Sequence, residues 1–242
     1  MALFPVYMEL AGRLCVIAGG GPVAERKAAS LLEYGAAVQV VSPDFTAGLL
    51  EMESAGKIKA VRRRFTMEDM EGAFLVIAAT PDRRLNEAIG LRAAERAVLA
   101  DIADNPGMCT FTFPSTVKRG ELVVGISTSG GFPAMSKYIG DRLEGLLPEN
   151  LGNVLETLKG YRNRAKSCIK DGKRRRELMG RLMEETGRHM DRAGARIAGP
   201  EGDAGRSCHE AANAGPADSI GKIDEEGLLR SLENIFREYC DE

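Results

Sequence analysis

The chain predicts an α/β fold: a doubly wound parallel sheet in the first 113 residues, then a small hairpin-and-helix region and a helical C-terminal part. Three observations carry that reading. Short apolar runs alternate with helical stretches from residue 13 to residue 102. Three consecutive glycines join the first run to the first helix. After Cys109 the alternation gives way to a polar/apolar pattern and then to long helical stretches. Strands that alternate with helices form parallel βαβ units, whose helices cover both faces of the sheet.

Taken in order, residues 13–18 (Arg-Leu-Cys-Val-Ile-Ala) form a buried strand, and the stretch from Pro22 to Leu32 a helix. Pro22 suits a first helical turn and Gly35 a C-terminal cap. Residues 36–41 are a second strand, 44–55 a helix, 58–62 a third strand and 74–79 a fourth, unbroken in its apolar character. A helix at 82–96 and a fifth strand at 98–102 complete the alternation. Thr110-Phe111-Thr112-Phe113 alternates polar and aromatic residues, Lys118-Arg119-Gly120 reads as a turn, and residues 121–128 are rich in β-branched side chains, which together predict a hairpin or antiparallel pair. A helix follows from about Pro133 to Leu147, and residues 150–190 are helical and basic. Residues 191–221 hold six Gly, eight Ala and two Pro, a linker composition. The last 20 residues predict one short amphipathic helix. The domain expectation is therefore 1–113, 114–147, 148–190 and a linker with tail helix over 191–242.

Composition narrows the function classes. A hydrophobic share of 44% with 28% charged residues is that of a soluble globular protein. A net charge of −2 gives no case for nucleic acid. No apolar run approaches the roughly 20 residues of a membrane span. Met1-Ala2-Leu3-Phe4-Pro5 lacks the features of a signal peptide, so the expected location is cytoplasmic. Five widely spaced cysteines without a CxxC pair point away from a disulfide framework and from structural zinc. Cys15, inside an apolar strand, reads as a small buried side chain.

Gly19-Gly20-Gly21-Pro22-Val23-Ala24 matches G-x-G-x-x-A between a strand and a helix. The first glycine permits a tight turn, the next lets the backbone approach a pyrophosphate, and the small third residue lets helix and strand pack closely. The helix N-terminus offers free N–H groups and a positive dipole end to phosphate. A tight turn alone would also use such a loop, but strand, helix and second strand at the expected distances favour a Rossmann-like nucleotide site. Ser42, Pro43 and Asp44 end the second strand, where an acidic group bonds the adenosine ribose; Asp44 stands a little late for this and also suits a helix cap. No Arg follows that strand directly, which favours NAD over NADP. Thr80 closes the fourth strand and is placed either to touch the cofactor or to share an N-cap with Asp82.

These segments carry a family resemblance. Phe4-Pro5-Val6-Tyr7, the glycine loop extended through Glu25-Arg26-Lys27, Val40-Val41-Ser42-Pro43, Ala78-Ala79-Thr80, Ile102-Ala103-Asp104-Asn105-Pro106, Phe113-Pro114-Ser115 and Ile126-Ser127-Thr128-Ser129-Gly130-Gly131-Phe132-Pro133-Ala134 resemble the precorrin-2 dehydrogenase and sirohydrochlorin ferrochelatase family, the N-terminal part of siroheme synthase. The likeness covers roughly residues 1–185. It implies a homodimer with a Rossmann domain, a dimerisation region built from the hairpin and following helix, and a helical C-terminal domain. It implies that NAD oxidises precorrin-2 to sirohydrochlorin, and that some members then insert ferrous iron as a second substrate.

By the same resemblance Asp104 matches the catalytic aspartate, which takes a proton while NAD takes a hydride. Its position just past the fifth strand agrees with that role, although Asp-Asn-Pro is also a good turn sequence. Asp101, inside the strand, reads as structural. Ser127, Thr128, Ser129, Gly130 and Gly131 resemble the segment that lines the tetrapyrrole site, joining Asp104 and the glycine loop in one site; Ser129 also suits a helix cap. Between residues 159 and 188, eleven Lys or Arg face four Asp or Glu, a local +7 that suits a polycarboxylate substrate or simply a solvated helix face. His189 and His209 read as surface residues, Cys208-His209 as a weak metal hint, and no metal ligand is assigned. The other readings are another NAD(P) reductase with a small substrate, or a regulatory NAD(H)-sensing module.

Overall fold

The structure is a computed structural model that describes residues 3–194 and 221–240. The expected linker lies mostly outside the described residues, as do Cys208 and His209. The chain divides into two compact units, one over residues 3–113 and one that begins at Pro114.

In the first unit five strands form one parallel sheet in the order β3-β2-β1-β4-β5. They are β1 (Leu14–Ala18), β2 (Ala37–Val41), β3 (Ile58–Val61), β4 (Leu75–Ala78) and β5 (Leu99–Ile102). Helices α1 (Pro22–Leu32), α2 (Ala47–Ser54) and α3 (Arg83–Glu95) are the crossovers. Alternate strand residues face opposite sides. Cys15, Ile17, Val38, Val40, Leu75 and Ile77 pack against Ala24, Ala28 and Leu31 of α1 and Leu49 of α2. Val16, Ala18, Val41, Val76, Ala78 and Ala100 pack against Ile89 and Ala93 of α3. Burial on both faces is why these strands are apolar throughout rather than alternating. Burial also pushes the Cys15 thiol up to about 11, in keeping with an inert core residue.

Residues 110–113 correct the hairpin expectation. They form no strand. Thr110 caps β5, its hydroxyl accepting from the Ala100 N–H at 2.8 Å. Phe111 and Phe113 stack on each other at 5.3 Å and pack on the α1 side of the sheet. Their alternation reflects a chain that runs along the first unit's core, not a pleated edge.

In the second unit the hairpin is β6 (Ser115–Arg119) and β7 (Leu122–Ile126), joined at Gly120 and Glu121. Gly120 has φ +59°, and a Cβ there would lie 2.7 Å from the Gly152 Cα, so turn and helix meet backbone to backbone. Helix α4 (Pro133–Leu146) lies on the hairpin; a Cβ at Gly140 would meet the Ser115 hydroxyl at 3.0 Å. Helices α5 (Leu151–Cys168), α6 (Gly172–Arg192) and α7 (Glu225–Cys240) follow. Val117 and Leu147 share one apolar cluster with Val154, Tyr161, Leu178, Leu182, Leu228, Leu232 and Phe236. The expected separation of 114–147 from 148–190, and of both from a tail helix, therefore gives way to one packed unit. The three α7 residues recur every four positions and supply one whole face of that core. Asn150 pins the returning chain: its Nδ2 donates to the Ile223 carbonyl at 2.9 Å and its Oδ1 accepts from the Ile223 N–H at 3.0 Å.

Arg164, Glu233 and Tyr161 bind α5 to α7. The Arg164 guanidinium holds the Glu233 carboxyl at about 2, with partial burial opposing and the Tyr161 hydroxyl assisting. A carboxyl lowered on folding contributes stability above its ordinary range near 4.5, and that contribution is lost as pH falls toward 2. Glu233→Gln is expected to cost about 1 kcal/mol at pH 7 for this partly exposed contact. Urea melts check it, and the gap to the wild type should close below pH 4.5.

Candidate nucleotide site and the carboxylate beside it

The chain leaves β1 at a switch point, since α1 carries it to β2 on one side while β4 pairs on the other. In open α/β sheets the ligand crevice opens there, outside the carboxyl ends of the strands. Gly19 has φ +110°, and a Cβ on it would stand 2.4 Å from the Ala79 carbonyl oxygen. A Cβ on Gly20 would stand 2.0 Å from the Asp44 carbonyl oxygen. Gly21 differs: a Cβ there meets nothing within 4 Å, and its φ of −85° is ordinary. Gly21 is also the N-cap of α1, and no side chain caps that end. Pro22 brings no N–H, and the first-turn amide of Val23 has no partner within the helix, while Ala24 is fully buried against the sheet. A cradle that excludes side chains below and leaves a helix N-terminus open above fits a diphosphate.

Ser42 is buried at the end of β2, with its N–H on the Val61 carbonyl at 3.1 Å, while Pro43 and Asp44 are exposed. Asp44 is not the cap of α2; that position belongs to Thr46. The sheet order also brings Arg62, Arg63 and Arg64, which follow β3, to the neighbourhood of Ser42. They do not follow β2 directly; the β2–β3 pairing brings them there. Arg62 is bound by Glu53 at 2.7 Å and Arg63 by Asp69 at 2.7 Å.

Asp82 caps α3, accepting from the Arg84 and Leu85 N–H groups. Thr80 supports that cap, its hydroxyl accepting the Asp82 N–H at 3.2 Å. Its hydroxyl donates to the Asn86 Oδ1 at 2.7 Å and its N–H to the same oxygen at 3.3 Å. The Asn86 Nδ2 donates to the Thr80 carbonyl at 2.9 Å and to Asp104 Oδ1 at 3.2 Å. The Asp104 side chain is 30% exposed, and its Oδ2 lies 3.6 Å from Arg83 Nε. Asn86 is absent from the sequence reading, yet a signal exists: it lies in register with Ile89, Gly90 and Ala93 on the buried face of α3, where a polar residue needs partners.

Asp101 is buried and paired, the surroundings of a structural residue. Its Oδ2 pairs with Lys27 Nζ at 2.8 Å, with both side chains about 85% buried, and Lys27 also sits 3.5 Å over the Phe113 ring. Cys109 closes the loop that carries Asp104, accepting from the Ile102 N–H at 3.2 Å. Lys27→Met leaves Asp101 buried and unpaired, and is expected to cost about 3 kcal/mol. Thermal melts check this, and adding Asp101→Asn should return part of the loss.

In the second unit, residues 127–131 form an exposed loop between β7 and α4. Ser129 and Gly130 are left-handed, with φ +52° and +80°. Ser129 is not the cap of α4, which is Phe132; the Thr128 hydroxyl accepts the Phe132 N–H at 3.1 Å instead. The Ser127 hydroxyl accepts from the Ser129 N–H at 3.1 Å. Much of the basic stretch is internally paired: Arg164 with Glu233, Arg181 with Glu238, Lys159 with Glu121, and Arg175 on the Ile169 carbonyl. His189 is buried rather than on the surface. It lies against Glu185 at 3.4 Å, because α7 covers that face of α6. No helix of the described residues is long and apolar enough to cross a membrane.

Residues 6–115 match a family model described as putative NAD(P)-binding. A siroheme synthase of Photorhabdus laumondii is 39% identical over 178 residues, 74% of this chain and 38% of its own length. One of Thioalkalivibrio sulfidiphilus is 36% identical over 184 residues, 76% of this chain and again 38% of its own. The chain thus spans about two fifths of the length of these relatives. The structure of SirC, a precorrin-2 dehydrogenase, covers 96% of the chain with a TM-score of 0.68 at 22% identity, and all of that protein is matched. The first unit is therefore similar to a putative NAD(P)-binding family, and about three quarters of the chain is similar to siroheme synthases.

Proposed function

We propose that the chain oxidises precorrin-2 to sirohydrochlorin with NAD as hydride acceptor, as a cytoplasmic homodimer. The observation that carries this reading is a carboxylate, Asp104, fixed at the carboxyl end of β5 on the same sheet edge as the open glycine cradle. NAD, when bound, accepts the hydride. Residues 19–21 hold the diphosphate, with the Val23 amide at the start of α1 beside it. Asp44 offers its exposed carboxylate to the adenosine ribose, which supports NAD over NADP; of the three arginines after β3, Arg62 and Arg63 are already engaged by Glu53 and Asp69. The proton that leaves precorrin-2 goes to Asp104 Oδ2, the oxygen not held by Asn86, and from there to solvent.

In the second unit, Ser127, Thr128, Ser129, Gly130 and Gly131 offer exposed hydroxyls and N–H groups suited to substrate carboxylates. The apolar side chains exposed on and before α4 (Phe132, Met135, Tyr138 and Ile139) support a second copy as partner. The test is anaerobic incubation with precorrin-2 and NAD, with the product followed by visible spectrum and mass. A product lighter by two hydrogens is expected. Unchanged precorrin-2 with NAD bound would favour a NAD(H)-sensing module, and turnover of another substrate would favour a different reductase. Sirohydrochlorin with ferrous iron, as a parallel arm, tests iron insertion.

A further inference from the structure

We propose that Asn86 is the positioning residue for the proton-accepting carboxylate, tying the Asp104 loop to the cofactor-side loop at Thr80. The proposal rests on the reading of Asp104 given above. Asn86 is 1% exposed, and its amide has two donor hydrogens and two acceptor lone pairs. All four are used: two N–H groups reach the Thr80 carbonyl and Asp104 Oδ1, and the oxygen takes both the Thr80 N–H and the Thr80 hydroxyl. A buried amide satisfied in this way has one orientation, because flipping it would set donor against donor and acceptor against acceptor.

The consequences fall on both loops. Thr80 and Asp104 follow β4 and β5, adjacent strands of the sheet, so one side chain from α3 sets the spacing between the two strand ends. Asp104 Oδ1 is occupied by an N–H, which leaves Oδ2, met among the described residues only by the largely exposed Arg83 at 3.6 Å, as the oxygen to take a proton. Thr80 presents no free hydroxyl hydrogen, since that hydrogen is spent on Asn86. The charged side chain that meets Asp104 is Arg83, largely exposed on the same helix. Asp82 is turned into its cap, and Asp101 is matched by Lys27. Asn86 is therefore the neutral, buried partner that holds the carboxylate without joining its charge balance.

Two measurements test this. The first needs no variant of Asn86: the side-chain amide of Asn86 is followed by NMR across pH in the NAD-bound protein. Its proton and nitrogen shifts should titrate with the same midpoint as the Asp104 carboxyl carbon, and that titration should vanish in Asp104→Asn. The second is the pH dependence of kcat/KM for precorrin-2 in Asn86→Asp, which keeps shape but sets a second carboxyl against Asp104. Its acid limb should move to higher pH by about one unit or more, because two carboxyls in contact do not both ionise freely. A merely structural Asn86 would lower activity at every pH without moving the limb. A flat Asn86 amide overturns the proposal. An amide that titrates beside an unmoved limb overturns the role in proton uptake, and it locates the failure in the reading of Asp104 as acceptor, since the contact itself would stand. Should Asn86→Asp not fold, Asn86→Ala replaces it: loss of the N–H that meets Asp104 Oδ1 should lower kcat at least tenfold and also move the acid limb to higher pH, whereas an unmoved limb overturns the proposal.

Discussion

Asp104→Ala retains NAD and loses precorrin-2 oxidation, by a factor of about a hundred to ten thousand in kcat. The carboxylate lies in a loop after β5, two strands along the sheet from the β1 end that carries residues 19–21, so truncating it should take no contact from the diphosphate. Asn86 loses one of its four partners, and the Thr80 loop keeps the other three. The fold should therefore survive, with thermal melting close to the wild type. Binding of NADH, read by its fluorescence, separates the two effects. Weakened binding in step with lost turnover would show that Asp104 acts on the cofactor site rather than on the proton.

Gly21→Ala should fold normally and bind NAD poorly, whereas Gly20→Ala should fold poorly. The two positions are neighbours but face opposite ways. A methyl on Gly20 runs into the Asp44 carbonyl at 2.0 Å, so the β1–α1 turn must open or the α2 entry must move. That is an overpacking defect of about 1–3 kcal/mol. A methyl on Gly21 meets no protein atom and sits on an ordinary backbone, so stability is unaffected or slightly raised. It stands instead in the space that a diphosphate would fill above the uncapped helix. A loss of tenfold or more in NAD affinity, with an unchanged melting temperature, is the expected signature. If Gly21→Ala binds NAD like the wild type, the phosphates do not lie over this helix end.

The first unit was the more legible half of the sequence. Its strands are buried on both sides, so each appears as an unbroken apolar run, and all five expected runs are strands to within a residue or two. The glycine loop was legible because its chemistry is local: turn, cradle and helix start are consecutive. Groups brought together by packing were not. Asn86 reaches Thr80 six residues back and Asp104 eighteen residues on, and only the β4–β5 pairing makes them neighbours. Lys27 and Asp101 are joined in the same way. The arginines after β3 stand near Ser42 because β3 pairs with β2, a fact about sheet order rather than sequence distance. Residues 110–113 misled because alternation of aromatic and polar residues marks any extended chain with one buried side, paired or not. The basic stretch looked like an open cationic face because its carboxylate partners, Glu233 and Glu238, lie about seventy and sixty residues downstream on α7.

The central claim is that one carboxylate and one nicotinamide cofactor divide a hydride and a proton between them. Its most direct test is the absorbance at 340 nm during anaerobic turnover of precorrin-2 generated in place, recorded with the appearance of sirohydrochlorin. The account predicts one NADH for each sirohydrochlorin in the wild type, and neither product from Asp104→Ala with NAD still bound. Sirohydrochlorin formed without NADH, or at wild-type rate by Asp104→Ala, would contradict it.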